Sequence, residues 1–555
     1  MSLDTILLFA APGTPILLSL LALVPATRPT LFRLLPFAAL PALAAALWLP
    51  TGLSSPLPLT LLGAGLTLTE TGQVFLAVAA LLWTLAGIFV QRSVNAHRER
   101  FAGFWLATLS GNMLLFLAAD VASFYLAFAL LSLSAFGLVA HYGSPEARRA
   151  ARVYLALAIL GETLLLMGLL IGVQAAGTTL IPDVRTALAA AQHRDLAIGL
   201  LLAGFGIKAG LMPLHVWLPL AHPAAPAPAS AVLSGAIVKA GVFGLMSFLP
   251  LQADAPGWSA TMVIIGLVTA YLGVAFGVVQ QRAKTVLAYS TLSQMGLLVV
   301  VIGSGFGSPA LGLILAAVTL YSAHHSLAKG ALFLSVGLME KCDAGRRRIV
   351  LAAAAVAALA IAGLPLTGGA LAKLAIKGPI SESLAAPLVT LSAVGTTLLM
   401  LRFLQLLRRT APSDHRPAAA LWIPFVAAVA AALALPWALF PNLSELTPAY
   451  VMRPINLWAA LWPLLVGAGV MIGALKLPRP INVSVPEGDI VVLLERGAEA
   501  ARRLVRRLRG IRPPQISAPA MPDLAMVERA LARWPLAGAA LLGMAGVIAA
   551  SLILA

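Results

Sequence analysis

The sequence is poor in charge, in acid and in cysteine. Only 10% of its 555 residues are charged, against roughly 25% in a soluble globular domain. That deficit, with 60% hydrophobic residues and a mean hydropathy of +0.96, excludes a water-soluble fold and points to an integral membrane protein. The single cysteine, Cys342, excludes an intramolecular disulfide, and a protein-held iron–sulfur cluster ordinarily takes several Cys ligands. Acids number 20 against 37 Lys and Arg, a net charge of +17. In a soluble protein that excess would suggest nucleic acid, but its placement here gives a different answer. The N-terminus, MSLDTILLF, lacks the basic region of a cleavable signal, so the first apolar run is expected to be a retained span.

What the chain has is hydrophobic runs of about 20 residues, the length of membrane-spanning helices rather than barrel strands. They predict an all-α polytopic membrane protein of about 16 transmembrane helices, beginning near residues 5, 31, 74, 101, 121, 151, 195, 228, 261, 285, 309, 349, 383, 420, 456 and 534. Under this count 29 of the 37 Lys and Arg residues fall in loops on one side. The positive-inside rule makes that side cytoplasmic and puts both termini outside, in a bacterial-type inner membrane. Residues 1–100 hold helices 1–3, and 406–478 hold C-terminal transmembrane helices. Residues 479–533 read as a basic amphipathic helix, with Leu494, Ala498, Ala501, Val505 and Leu508 on its apolar stripe, and a Pro-rich linker. A final span covers 534–555.

Against this apolar background the buried ionisable residues stand out, since each is by default a functional hypothesis. Lys208 and Lys239 lie within apolar runs, joined by the Pro-crowded segment LMPLHVWLPLAHPAAPAP. Pro213, five residues after Lys208, removes a helical hydrogen bond and predicts a broken helix 7. His215 follows that break and is placed to face a cavity opened by it; His222, in the proline-rich turn, reads as structural. Glu162 is the only carboxylate near the middle of any span. It is either a structural, hydrogen-bonded or ion-paired acid or a proton carrier that partners a lysine. His325 and Lys329 are four apart, on one helical face, and the Ser290, Thr291, Ser293 and Gln294 group gives span 10 a polar face. Arg282 and Lys284 read as interfacial anchors. In span 12, Pro365, Gly368 and Gly369 predict a second break, followed by Lys373. Two breaks five spans apart predict two inverted five-helix repeats, residues 101–250 and 251–405, with broken helices 7 and 12 marking the conduction path. No cofactor motif or metal cluster is evident, and no second span offers a histidine pair for haem.

Four motifs in order, GIKAGLMPLHVWLPLAHPAAPAPASAVLSG, VLAYSTLSQMG, HSLAKGALFL and AGLPLTGGALAK, resemble the antiporter-like membrane subunits of respiratory complex I, Mrp-type antiporters and energy-converting hydrogenases. The LPxAHPxAP form and the later VPEGDIVVLLERG look most like the large membrane subunits of hydrogenase and formate-hydrogenlyase complexes. The resemblance covers about residues 100–405. It implies a proton-translocating subunit that carries no redox cofactor and is driven by other membrane and peripheral subunits of a multisubunit complex. Its relay would run through Lys208 at the broken helix, His215, Lys239 as central connector, His325, Lys329 and Lys373 near the exit. Two positions depart from the pattern: Ala129 stands where span 5 usually carries a glutamate, and Leu220 where an acid often follows W-L-P. The expectation is that Glu162 supplies the missing span 5 carboxylate. The alternatives are a Na⁺/H⁺ antiporter-type subunit, a cation-coupled membrane partner in bicarbonate uptake, and a non-pumping homologue.

Overall fold

The computed structural model describes residues 2–22, 24–57, 64–381, 383–413, 416–476, 485–492, 495 and 497. Among these, 13 helices are long and apolar enough to cross a membrane. The reason is backbone chemistry: in hydrocarbon every N–H and C=O needs an internal partner, and a helix supplies them locally. The spanning helices are α1 (Leu3–Ala22), α2 (Pro25–Trp48), α3 (Glu70–Ser93), α4 (Arg98–Leu117), α5 (Val121–Val139) and α6 (Pro145–Ala176). A helix pair follows, α7 (Arg194–Ala209) and α8 (Trp217–Ala224). Then come α9 (Ala227–Phe248), α10 (Pro256–Val278), α11 (Ala283–Gly303) and α12 (Leu311–Met339). A second pair is α13 (Arg347–Ala362) and α14 (Gly368–Lys377). α15 (Ala386–Arg408), α16 (Ala419–Leu443) and α17 (Pro454–Leu475) complete the described bundle. The expected last span, 534–555, and most of the amphipathic stretch 494–508 lie outside the described residues.

The basic loops do share one face. Arg28 pairs with Glu99, Arg100 reaches the His141 carbonyl, and Lys341 reaches the Arg92 carbonyl. Arg282 pairs with Glu146, Arg347 donates to the Arg408 carbonyl, and Arg402 donates to the Gln280 carbonyl. These contacts tie together the loops expected after spans 1, 3, 5, 9, 11 and 13 on one face of the described bundle.

Both expected breaks are present, but glycine rather than proline makes them. α7 stops at Gly210 (φ 84), where the Gly210 and Leu211 amides both return to the Gly206 carbonyl. α13 stops at Gly363 (φ 103), where Gly363 and Leu364 return in the same way to Leu359. This is the Schellman ending, which needs a left-handed residue and therefore favours glycine. Pro213 and Pro365 lie beyond these caps, where proline keeps the helix from resuming at once. Gly368 and Gly369 open the second half instead of ending the first. A Cβ on Gly369 would overlap the Ala360 carbonyl and sit 3.0 Å from His324 Nε2. Gly369→Ala is therefore expected to lower stability by about 1–3 kcal/mol or more, as overpacking against backbone does. A thermal-unfolding midpoint in detergent equal to wild type would refute that.

Candidate functional site

Lys208 occupies the last turn of α7, next to the break. Its Nζ donates to Ser132 Oγ at 2.7 Å and lies 3.4 Å from the Tyr154 hydroxyl, with the Phe128 ring centroid 5.4 Å away. Tyr154 in turn donates to the Ser132 carbonyl at 2.8 Å. Glu162 is 7% exposed, interacts electrostatically with Lys208 and also meets Ser132, while its Oε1 has no hydrogen-bond partner. Ser132 is thus the hydroxyl on which the amine rests, with Glu162 nearby on α6. α6 approaches α7 closely because glycines face each other. A Cβ on Gly204 would meet the Gly161 carbonyl at 2.8 Å, and Gly161 immediately precedes Glu162. Ser132 lies three residues on from Ala129, hence on the same side of α5.

A second cluster sits mid-bundle. The chain from Leu233 to Ile237 forms a π-turn, a local widening of the helix that frees a carbonyl. Lys239 Nζ donates to the Ser234 carbonyl at 3.0 Å and lies 2.6 Å from His325 Nδ1. Lys329, one turn on, donates to the Leu287 carbonyl at 3.0 Å. The expected polar face of α11 is wholly buried: Thr291 bonds Ser234, and Gln294 bonds Thr396 and Tyr321. Beside Lys239 lies a cavity of ≈ 10 Å³ bordered by Thr319, Ser322 and Ser326.

The third cluster is at the second break. Lys373 Nζ donates at 2.6 Å to the Ala362 carbonyl, which the end of α13 leaves free. Lys373 and Lys377 line a cavity of ≈ 40 Å³ with Asn456 and Pro463 of α17. His324, the neighbour of His325, projects differently: its Nδ1 meets the Ala432 carbonyl at 3.2 Å, and the ring faces Gly368 and Gly369. It interacts electrostatically with Lys373. Among the described residues no direct hydrogen bond joins Lys208 to Lys239, so the clusters are separate stations.

His215 is fully buried beyond the first break. Its Nε2 lies 2.9 Å from Asp489 Oδ2, and the Tyr289 hydroxyl donates to the same oxygen at 2.7 Å. Asp489 belongs to the segment after the bundle, which straps across the basic face. Glu487 accepts from Thr285 at 2.6 Å and from Arg282 at 3.1 Å, and Arg149 forks onto Glu495. Gly488 (φ 81) packs on Leu220, so a Cβ there would meet the leucine at 3.0 Å. Burial alone would push the Asp489 carboxyl up. Contacts with His215, the Ile490 amide and Tyr289 outweigh it and hold the group below the ordinary carboxylate range.

Lys284 donates to the Ala225 carbonyl at 2.8 Å, and Arg282 is a clasp between Glu146 and Glu487 on the basic face. His222 is fully buried and stacks on Phe333 with centroids 4.5 Å apart, its carbonyl accepting from Ser230 at 2.9 Å. That is consistent with a packing role. Ser132, Tyr154, His324, Tyr289 and Asp489 were not singled out by sequence.

Comparison with known proteins fits this arrangement. The family model described as NADH:quinone oxidoreductase/Mrp antiporter, TM matches residues 118–400, just over half of the chain. Hydrogenase-4 component B of Escherichia coli (strain K12) is 28% identical over 316 residues, 53% of this chain and 47% of that protein. NADH-quinone oxidoreductase subunit N of Heliobacterium modesticaldum is 28% identical over 321 residues, 56% of this chain and 68% of that protein. The chain spans about half the length of the first of these relatives. A chain of the Mrp complex from Dietzia sp. DQ12-45-1b shares the fold, with a TM-score of 0.69 at 21% identity, covering 85% of this chain and 100% of that one. The matched region runs from just before α5 into α15 and holds Glu162, Lys208, Lys239, His325, Lys329 and both breaks, and the chain belongs to the NADH:quinone oxidoreductase/Mrp antiporter transmembrane family.

Proposed function

We propose that this protein is a proton-translocating subunit of a multisubunit membrane complex, moving protons along Glu162, Lys208, His215, Lys239, His325, Lys329 and Lys373 under the drive of partner subunits. The observation that carries the reading is the row of buried or half-buried amines, each held by a hydroxyl or by a main-chain carbonyl, two of these carbonyls lying at helix irregularities. An isolated charge in a low-dielectric interior is costly unless paired. Amines solvated this way, beside imidazoles and one carboxylate, can hold a proton in turn. In our reading the complete chain has 16 spans with two inverted five-helix repeats, supported by the identical endings at Gly210 and Gly363. The basic face is cytoplasmic in the same reading, with both termini outside.

The test uses the complex purified through a tag on this chain, with its native partners, in proteoliposomes holding a pH dye. A valinomycin–K⁺ diffusion potential should drive proton entry, and Lys208→Ala should remove about 10²-fold or more of it, the scale of a positioned proton carrier. Full flux in Lys208→Ala sinks the reading. The family includes Mrp antiporters, so the ion is tested too: flux that requires Na⁺ would favour an antiporter-type subunit. A co-purifying large zinc protein would instead favour the inorganic-carbon role.

A further inference from the structure

The strap after the bundle does more than cross the surface. Tyr289 lies six residues into α11, roughly 9 Å along its axis at 1.5 Å per residue. Asp489, bonded to Tyr289, therefore reaches past the helix ends to the level of the first break. There it meets His215, which is fully buried and whose other ring nitrogen, Nδ1, is also buried and has no partner. A buried imidazole with one nitrogen on a carboxylate and the other bare toward the interior is a two-sided proton carrier. The strap's own fastening is independent of that contact, through Glu487 to Thr285 and Arg282, and through Glu495 to Arg149. Asp489 is thus free of a fastening role that others already fill.

Resting on the transport reading above, we infer that Asp489 is the proton-entry carboxylate of the first half-channel, delivered to His215 by the post-bundle strap. With His215 in its Nδ1–H tautomer, Asp489 takes a proton from the basic-face solution and passes it to Nε2, regenerating the carboxylate. The resulting imidazolium releases its Nδ1 proton inward, and a tautomeric shift of the remaining proton from Nε2 to Nδ1 restores the starting form. Tyr289 holds the accepting oxygen in place. The charged groups around this step are Glu487 on the strap, Arg282 before α11 and Glu146 and Arg149 on α6. They form their own ion pairs, apart from the Asp489–His215 contact. Gly488 has a left-handed backbone that other residues rarely adopt, and a Cβ there would crowd Leu220.

The experiment compares Asp489→Asn and Asp489→Glu in the reconstituted native complex, with valinomycin-driven proton entry followed from pH 5.5 to 8.5. Asp489→Asn should lower flux by about 10²-fold, the low end of what a positioned proton donor contributes, across that pH range. Asp489→Glu should retain most of the flux. Wild-type flux and profile in Asp489→Asn overturns the inference. So does an equal loss in both variants, with or without loss of partner subunits, because a tether would not distinguish them by acidity. Lys208→Ala is measured alongside: if that variant loses flux while Asp489→Asn does not, only the entry role fails, and if Lys208→Ala conducts fully, the transport reading itself fails.

Discussion

Glu162→Gln is expected to lower proton flux by about 10²-fold or more, the range a positioned acid or base contributes, while leaving the complex assembled. The substitution keeps the side chain's shape and its approach to Ser132, and removes only the charge and the exchangeable proton. Lys208 Nζ would still have Ser132 Oγ at 2.7 Å and the nearby rings of Phe128 and Tyr154. What it loses is the one carboxylate with which it interacts. Breaking a buried pair from one side costs about 3–5 kcal/mol when the remaining group stays charged. The amine escapes that cost by staying neutral, and a lysine locked neutral cannot relay. The double variant Ala129→Glu/Glu162→Gln puts the acid back on α5, on the side that carries Ser132, and should recover part of the flux. Proteoliposome flux with co-purification of partners checks both. Wild-type flux in Glu162→Gln would show that the coupling acid lies elsewhere.

The sequence disclosed the groups that the membrane makes costly. Lysines 208, 239, 329 and 373 and Glu162 were legible because apolar neighbours flank them, and the loop alternation because Lys and Arg mark one side. The breaks were legible in position but not in cause. Proline draws the eye, whereas the backbone turns at Gly210 and Gly363, where only the left-handed cap fits. Ser132 and Tyr154 could not be read, because a hydroxyl in a span is unremarkable until an amine is seen to rest on it. His324 and His325 are adjacent, about 100° apart around the helix at 3.6 residues per turn, so spacing could not say that one faces Lys239 and the other the second break. Asp489 was hidden by distance, since 274 residues separate it from His215. Its only local signal was a Gly-Asp pair ahead of an apolar run in an otherwise polar tail.

Lys239 allows a sharper separation of relay from scaffold than any other position. It is 1% exposed, and its amine bridges the Ser234 carbonyl freed by the π-turn and His325 on α12. At 2.6 Å the two nitrogens hold one proton between them, so the contact exists only while one of the pair is unprotonated. The adjoining ≈ 10 Å³ cavity is the size of about one water, and Ser322 Oγ, otherwise unpartnered, faces that space. A water there gives the pair a route onward. Lys239→Met keeps length and volume but leaves a carbonyl and an imidazole nitrogen unpaired, at about 1–3 kcal/mol each. Lys239→Arg keeps a cation and its donors, yet a guanidinium stays protonated at any accessible pH. If Lys239 merely braces α9 against α12, the arginine variant should conduct and the methionine variant should not. If it passes protons, both should lose flux by about 10²-fold or more, with the arginine variant assembled and thermally close to wild type. An arginine variant that conducts like wild type would remove Lys239 from the path and break the row at its centre.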